Sequence, residues 1–253
     1  MPTSSRAVKL SLADPYLKTT RAHVHLETLK AELQAFIDTH PCSIRGEDDI
    51  ENGTYNLRIH MDEVPDLIPL IAGDFLYCLR SALDQTAWCL AKITTAIPEH
   101  TQFPIFDVDN ADSRRKLADY TKGIPTAAVD IIRTLQPYHG SNDAAKRAHL
   151  LWRLNKLCNI DKHRRIPTHG SALQVYNILP NQVPGLSLDA LENGGVVRIP
   201  LAHKGEVNLN PRASITVMFG DFSEGIDCDS DGLGKIYDFV ADNVIPRFSR
   251  FFK

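Results

Sequence analysis

Two stretches of the chain hold most of its chemistry-bearing side chains. Residues 73–88, GDFLYCLRSALDQTAW, place Arg80 and Asp84 one helical turn apart, and residues 152–165, WRLNKLCNIDKHRR, bring together Asn155, Asn159, Asp161, Lys162, His163 and Arg164. A permanently charged guanidinium or an ammonium near an imidazole that titrates close to neutrality can hold a phosphate and move a proton. Winding the second stretch as a helix puts Trp152, Asn155, Asn159, Lys162 and His163 on one side. The same winding sets Asp161 among Leu150, Leu151, Leu154, Leu157 and Cys158. A carboxylate aimed at a core is costly without donors or a cation, so Asp161 is expected to have a partner, orienting His163 or pairing a cation. The plainer reading is that Asp161 fixes the helix end while Lys162, His163, Arg164 and Arg165 complement the negative end of the helix dipole. Arg80 and Asp84, as an i, i+4 pair on a surface, would matter little.

The elements that must carry these residues follow from apolar spacing. Helices are expected over about 16–39, 66–95, 145–163 and 233–251, and strands over about 42–62 and 171–220. In the first helix Leu17, Val24, Leu29, Leu33 and Phe36 form the apolar set. In the second, Ile68, Phe75, Leu79, Ala82, Leu83, Leu90 and Ile93 fall on one face. Its other face holds Asp74, Tyr77, Arg80, Ser81, Asp84, Gln85 and Trp88. Two aromatics there, where lysine and glutamate would be usual, suggest that this face also touches something. Asn52-Gly53 predicts a hairpin turn, and the stretches SALQVYNIL, GGVVRIPLA, EVNLNP and ASITVMFG read as strands of an antiparallel sheet. The fold class expected is α+β: a bundle of three to four long helices with a small antiparallel sheet, in one domain over residues 1–253.

The chain has 253 residues, 43% of them hydrophobic and 23% charged, which excludes wholesale disorder. A net charge of −3 argues against broad non-specific nucleic-acid binding and leaves room for a local basic site. Apolar runs such as LIPLIAG at 67–73 are too short to span a membrane, and MPTSSRAVKLSL lacks the apolar region of a secretory signal. A cytoplasmic location is expected, with Cys42, Cys78, Cys89, Cys158 and Cys228 as reduced, mostly buried thiols.

Two metal readings compete with these. His60-x-Asp62 and Asp161-x-His163 together offer four N/O ligands for a divalent transition metal. Asp227, Asp229 and Asp231, followed by Gly232 and by Asp238, have the spacing of a calcium loop. The segment before them reads as strand and loop, however, and aspartates there suit capping of the last helix, which is the preferred reading. No cofactor is called for.

The pattern GD-x4-LRSALD-x3-W, followed by FPI, LQPYH and LNKLCNIDKHR, resembles a widespread group of uncharacterised bacterial proteins of similar length. More distantly, an arginine and a histidine four to six residues apart on a long helix of a helical bundle resemble the HEPN superfamily, which includes metal-independent ribonucleases of toxin and defence systems. That resemblance implies an arginine on the scissile phosphate, here Arg80, and a histidine handling the 2′-hydroxyl proton. Gln85 stands where the family has histidine and cannot act as a base, so His163 is the imidazole expected to serve, with Lys162 or Arg164 on phosphate charge. The function implied is RNA binding with metal-independent cleavage, by a homodimer. Arg80, Asp161, Lys162 and His163 are the catalytic candidates, and Asp84, Trp152, Asn155, Asn159 and Arg164 the binding ones. The alternative from another class is a non-catalytic structural or interaction protein, whose polar motif is a buried ion-pair network.

Overall fold

Ala22, Leu26, Leu29, Leu33 and Phe36 recur at three- and four-residue steps, and the first helix, α1 (Ala13–Asp38), buries that ladder. Leu17 and Val24 wind to the opposite side and are exposed, which corrects the apolar set expected for this helix. The computed structural model describes residues 10–94, 99–176, 196–207, 209 and 212–252. The N-terminal residues 1–9, the end of SALQVYNIL, the start of GGVVRIPLA and half of EVNLNP lie outside them.

The protein is α+β, with small antiparallel sheets. After α1 come β1 (Cys42–Asp49), β2 (Thr54–Met61), α2 (Leu67–Ala91), α3 (Ala111–Tyr120), α4 (Thr126–Thr134), α5 (Asp143–Ala148) and α6 (Leu150–His163). β3 (Thr168–Tyr176), β4 (Val196–Pro200), β5 (Arg212–Asp221), β6 (Ile226–Cys228) and α7 (Ser230–Asp238) follow. Where the sequence suggests one domain, the chain divides into two compact units. One comprises Met1–Leu29, Leu70–Ile166 and Gly220–Lys253, the other Lys30–Pro69 and Pro167–Phe219.

In the second unit, β1 and β2 form the expected hairpin, closed between Asp49 and Thr54, and β4 adds antiparallel to β2. Their alternation buries Ile44, Tyr55, Leu57, Val197 and Ile199 as one cluster. β5 pairs antiparallel with β3 from Thr168 opposite Phe219 to Tyr176 opposite Arg212, with an irregularity between Ala172 and Gln174. His60 and Asp62 lie at the end of β2, 3.6 Å apart and largely exposed.

The first unit carries both motif stretches. Two of its helices differ from the spacing-based expectation. The helix expected over 145–163 is broken at His149, whose extended backbone ends α5 and whose ring Nδ1 accepts the Leu151 amide hydrogen as the N-cap of α6. A side-chain acceptor there competes with the backbone carbonyl that a continuous helix would have used. The helix expected over 233–251 is α-helical only as α7. Phe239–Val244 widens into a π-helical turn and Ile245–Phe251, with Pro246 in its first turn, tightens to 3-10 geometry. Ile236, Val240, Val244, Ile245 and Phe248 of this segment are buried, and Phe239 and Phe251 half-buried. Asp229 caps α7, accepting the Gly232 amide at 2.7 Å, while the Asp227 carbonyl accepts from Arg153. The acidic loop therefore does the capping work preferred for it. Among the described residues no three His, Cys, Asp or Glu side chains gather as a metal site, and no helix is long and apolar enough to cross a membrane.

Candidate functional site

α2 winds its small and apolar residues inward, and Ile68, Phe75, Leu79, Ala82, Leu83 and Leu90 are all buried. Its opposite face forms one wall of a cavity of about 410 Å³, lined by Tyr77, Arg80, Ser81, Asp84, Gln85 and Trp88. Thr101 closes one side, and Cys158, Asp161 and Lys162 of α6 form another. The volume suits a small organic group or one unit of a polymer. Tyr77 and Trp88 are exposed, at 63% and 44%. A lysine sits over each ring, Lys18 5.7 Å from the Tyr77 centroid and Lys92 5.5 Å from that of Trp88.

Arg80 and Asp84 are more than a surface pair. The Arg80 Nε and Nη2 donate to the two Asp84 oxygens at 3.2 and 2.8 Å. Arg80 Nη2 also donates to the Phe103 carbonyl at 2.7 Å, and the Phe103 amide donates to Asp84 at 2.9 Å. The pair thus holds both backbone polar groups of one residue, and the Phe103 side chain is fully buried. This explains the FPI stretch: its backbone is fastened to the arginine–aspartate pair of LRSALD. The Arg80 side chain is 12% exposed, and its remaining nitrogen, Nη1, is buried without a partner; so is the Gln85 Oε1. A buried polar atom without a partner costs about 1–3 kcal/mol, so these two stranded atoms mark the wall as unfinished.

α6 meets α2 through its leucine side, where the Cys158 thiol donates to the Leu76 carbonyl. Burial pushes the Cys158 thiol up to about 12, so it is an inert packing group. Asp161 lies next along that side. Its carboxylate rests against the backbone of Gly73, so closely that a Cβ there would lie 2.5 Å from its Oδ1. The partner expected for Asp161 is absent: no described residue hydrogen-bonds or pairs with this carboxylate. Burial raises its pKa above the ordinary carboxylate range, and the Asp74 charge adds to the shift.

That shift fixes a pH dependence. A carboxyl with a higher pKa folded than unfolded holds its proton more tightly in the native state. Stability then falls as pH rises from the unfolded value of about 3.9 through the folded one, and the full cost applies at neutral pH. Asp161→Asn is expected to raise Tm at pH 7 by up to about 3 °C, the shift that ~1 kcal/mol gives in a chain of this size. Thermal melts followed by circular dichroism at pH 3.5 should show no gain. A variant less stable than wild type at pH 7 would mean that the carboxylate is already satisfied.

Of the residues expected at the site, the pocket gathers Arg80, Asp84, Asp161 and Lys162, and not the others. His163 is exposed one residue beyond the lining and makes no hydrogen bond or ion pair with another described residue. Trp152 donates its indole N–H to Asp107 at 3.1 Å, and Asn155 and Asn159 lie outside the lining. Arg164 donates to both Asp221 and Glu224, at 2.6 and 2.7 Å, and Lys156 shares Glu224. The Ser223 hydroxyl and Arg164 hold the Asp221 carboxyl down at about 2. Arg164 is therefore a brace between α6 and the turn after β5, with its charge already balanced. Thr101, Cys158 and Gly73 contribute to the site without a local signal, because only contact with the other motif gives them a role. Compared with protein-family models, curated proteins and solved structures, the chain has no match in any of the three.

Proposed function

We propose that this is a cytoplasmic, HEPN-like nucleic-acid-associated protein that binds single-stranded RNA along the pocket face of α2. The supporting observation is the cavity of about 410 Å³ lined by Arg80 and Lys162, set between two exposed rings that each carry a lysine. Tyr77 and Trp88 are eleven residues apart, about 16 Å along the helix axis, room for more than one nucleotide. Unpaired bases stack on aromatic rings, and ammonium groups beside the rings meet the phosphates between them. Bases in a duplex have no free face to offer, which favours single strands.

The test is fluorescence anisotropy with a labelled single-stranded RNA at low salt in EDTA. Tyr77→Ala and Trp88→Ala are each expected to weaken binding about 5- to 50-fold, the effect of losing one stacked base. Wild type that fails to bind at about 100 µM RNA, or aromatic variants that bind as well as wild type, would reject the reading.

One observation favours metal-independent cleavage as a second reading: His163 is exposed, has no hydrogen-bond or ion-pair partner among the described residues, and is adjacent to Lys162 at the pocket edge. The imidazole would take the 2′-hydroxyl proton, the 2′-oxygen would attack phosphorus, and the 5′-oxygen would leave and be protonated, giving a 2′,3′-cyclic phosphate. On the same preparation, product formation in EDTA that falls by about 100-fold in His163→Ala supports it, and equal rates sink it. The resemblance also carries a helical bundle of three to four helices and a homodimer, and sedimentation equilibrium measures the latter.

A further inference from the structure

We propose that the pocket selects guanine, with the Asp161 carboxylate accepting from the base's N1–H and exocyclic N2–H. The inference rests on the RNA-binding reading and names its base specificity. A partly buried carboxylate in a cavity wall, with no donor among the described residues, is an acceptor waiting for donors. The lining is formally neutral, Arg80 and Lys162 standing against Asp84 and Asp161, so the cavity itself gives a cation no net pull. Neutral donors remain, and a carboxylate accepts two parallel N–H bonds best. Guanine alone among the four RNA bases sets two donors side by side on its Watson–Crick edge. Uracil offers one donor between two acceptors, and adenine and cytosine set an acceptor beside the donor, which a carboxylate repels.

The neighbouring groups fit the rest of the base. Beyond guanine's two donors comes the O6 acceptor, and Lys162, which lines the same cavity as Asp161, has an ammonium to donate to it. Tyr77 stands one turn along α2 from Gly73, on which the carboxylate rests, so its exposed ring lies beside the acceptor as a stacking surface. Gly73 sets the position of the carboxylate. A Cβ there would lie 2.5 Å from Oδ1 and 2.9 Å from Cγ of Asp161, so any other residue at 73 displaces the acceptor.

The experiment uses the whole chain and a labelled adenine-rich RNA hexamer carrying one guanine, with inosine, adenine or uracil substituted at that position, and free GMP as a separate arm. Guanine is expected to bind at least about tenfold more tightly than adenine or uracil, with inosine, which lacks the exocyclic amine, in between. Asp161→Asn and Gly73→Ala are each expected to abolish the preference. Equal binding of all four hexamers overturns the inference and leaves RNA binding standing. A preference that survives in both variants also overturns it. Binding of GMP with no hexamer bound rejects the RNA reading and keeps the guanine one, and binding of neither rejects both.

Discussion

Asp84→Ala is expected to cost about 3 kcal/mol of stability, the low end of the range for breaking a buried ion pair. The reason is what it strands. Arg80 is 12% exposed and has its charge balanced by Asp84 alone among its recorded hydrogen-bond partners, the other being the neutral Phe103 carbonyl. Removing the carboxylate leaves a guanidinium shut away from water and orphans the Phe103 amide. The reverse change is milder. In Arg80→Met the remaining Asp84, 36% exposed, turns to water while keeping its bond from the Phe103 amide. Denaturant unfolding of the two variants should therefore show Asp84→Ala with the lower midpoint, and amide exchange at Phe103 should accelerate most in it. Equal costs would mean that the pair behaves as an exposed one, worth only about 0–1 kcal/mol.

The second large effect lies at Gly220, where β5 ends and the chain turns toward β6. Its φ is +128°, a region that L side chains rarely adopt, and an added Cβ would lie 2.5 Å from the Ile226 carbonyl oxygen and 3.0 Å from its carbon. Both obstacles are backbone atoms within the same turn, so no side-chain rotation relieves the clash. Gly220→Ala is expected to lose roughly 2–4 kcal/mol, backbone strain and displacement together. Gly205→Ala, with open space around its Cβ and no positive φ, is the control and should change stability by less than about 0.5 kcal/mol. The loss should extend beyond the turn itself, because Asp221 and Glu224 next to it hold Arg164 on α6. A Gly220→Ala protein as stable as wild type would show that this turn relaxes freely.

Both effects concern residues whose importance the sequence showed unevenly. Winding α2 at 100° per residue separates the apolar face from Asp74, Tyr77, Arg80, Ser81, Asp84, Gln85 and Trp88, and the structure places all of these but Asp74 on the cavity. The same operation on the 145–163 segment picked mostly the wrong companions. It grouped Trp152, Asn155, Asn159, Lys162 and His163 as the site face; of these five Lys162 lines the cavity, and Asp161 joins it from the leucine side. The apolar side is the one that packs on a neighbour, so a polar residue on its margin is the one brought to that neighbour. In α1 the spacing finds Leu29, Leu33 and Phe36, while Ala22 and Leu26, and not Leu17 and Val24, continue that ladder into the core.

By itself the sequence determined what local physics controls. That covers the α+β class, the β1–β2 hairpin, the two faces of α2, and the Asp229 cap at the start of the last helix. Each depends on a period, a turn residue or a side chain reaching a backbone amide a few residues away, and neighbours in sequence supply everything these need. Only the tertiary structure decided that Arg80 and Asp84 clamp the backbone of Phe103, that Gly73 makes room for Asp161, and that Arg164 is spent on Asp221 and Glu224. Each of these joins residues 19 to 88 positions apart. Winding a helix gives a side chain's direction about its own axis, and which partner waits in that direction is set by how the elements pack.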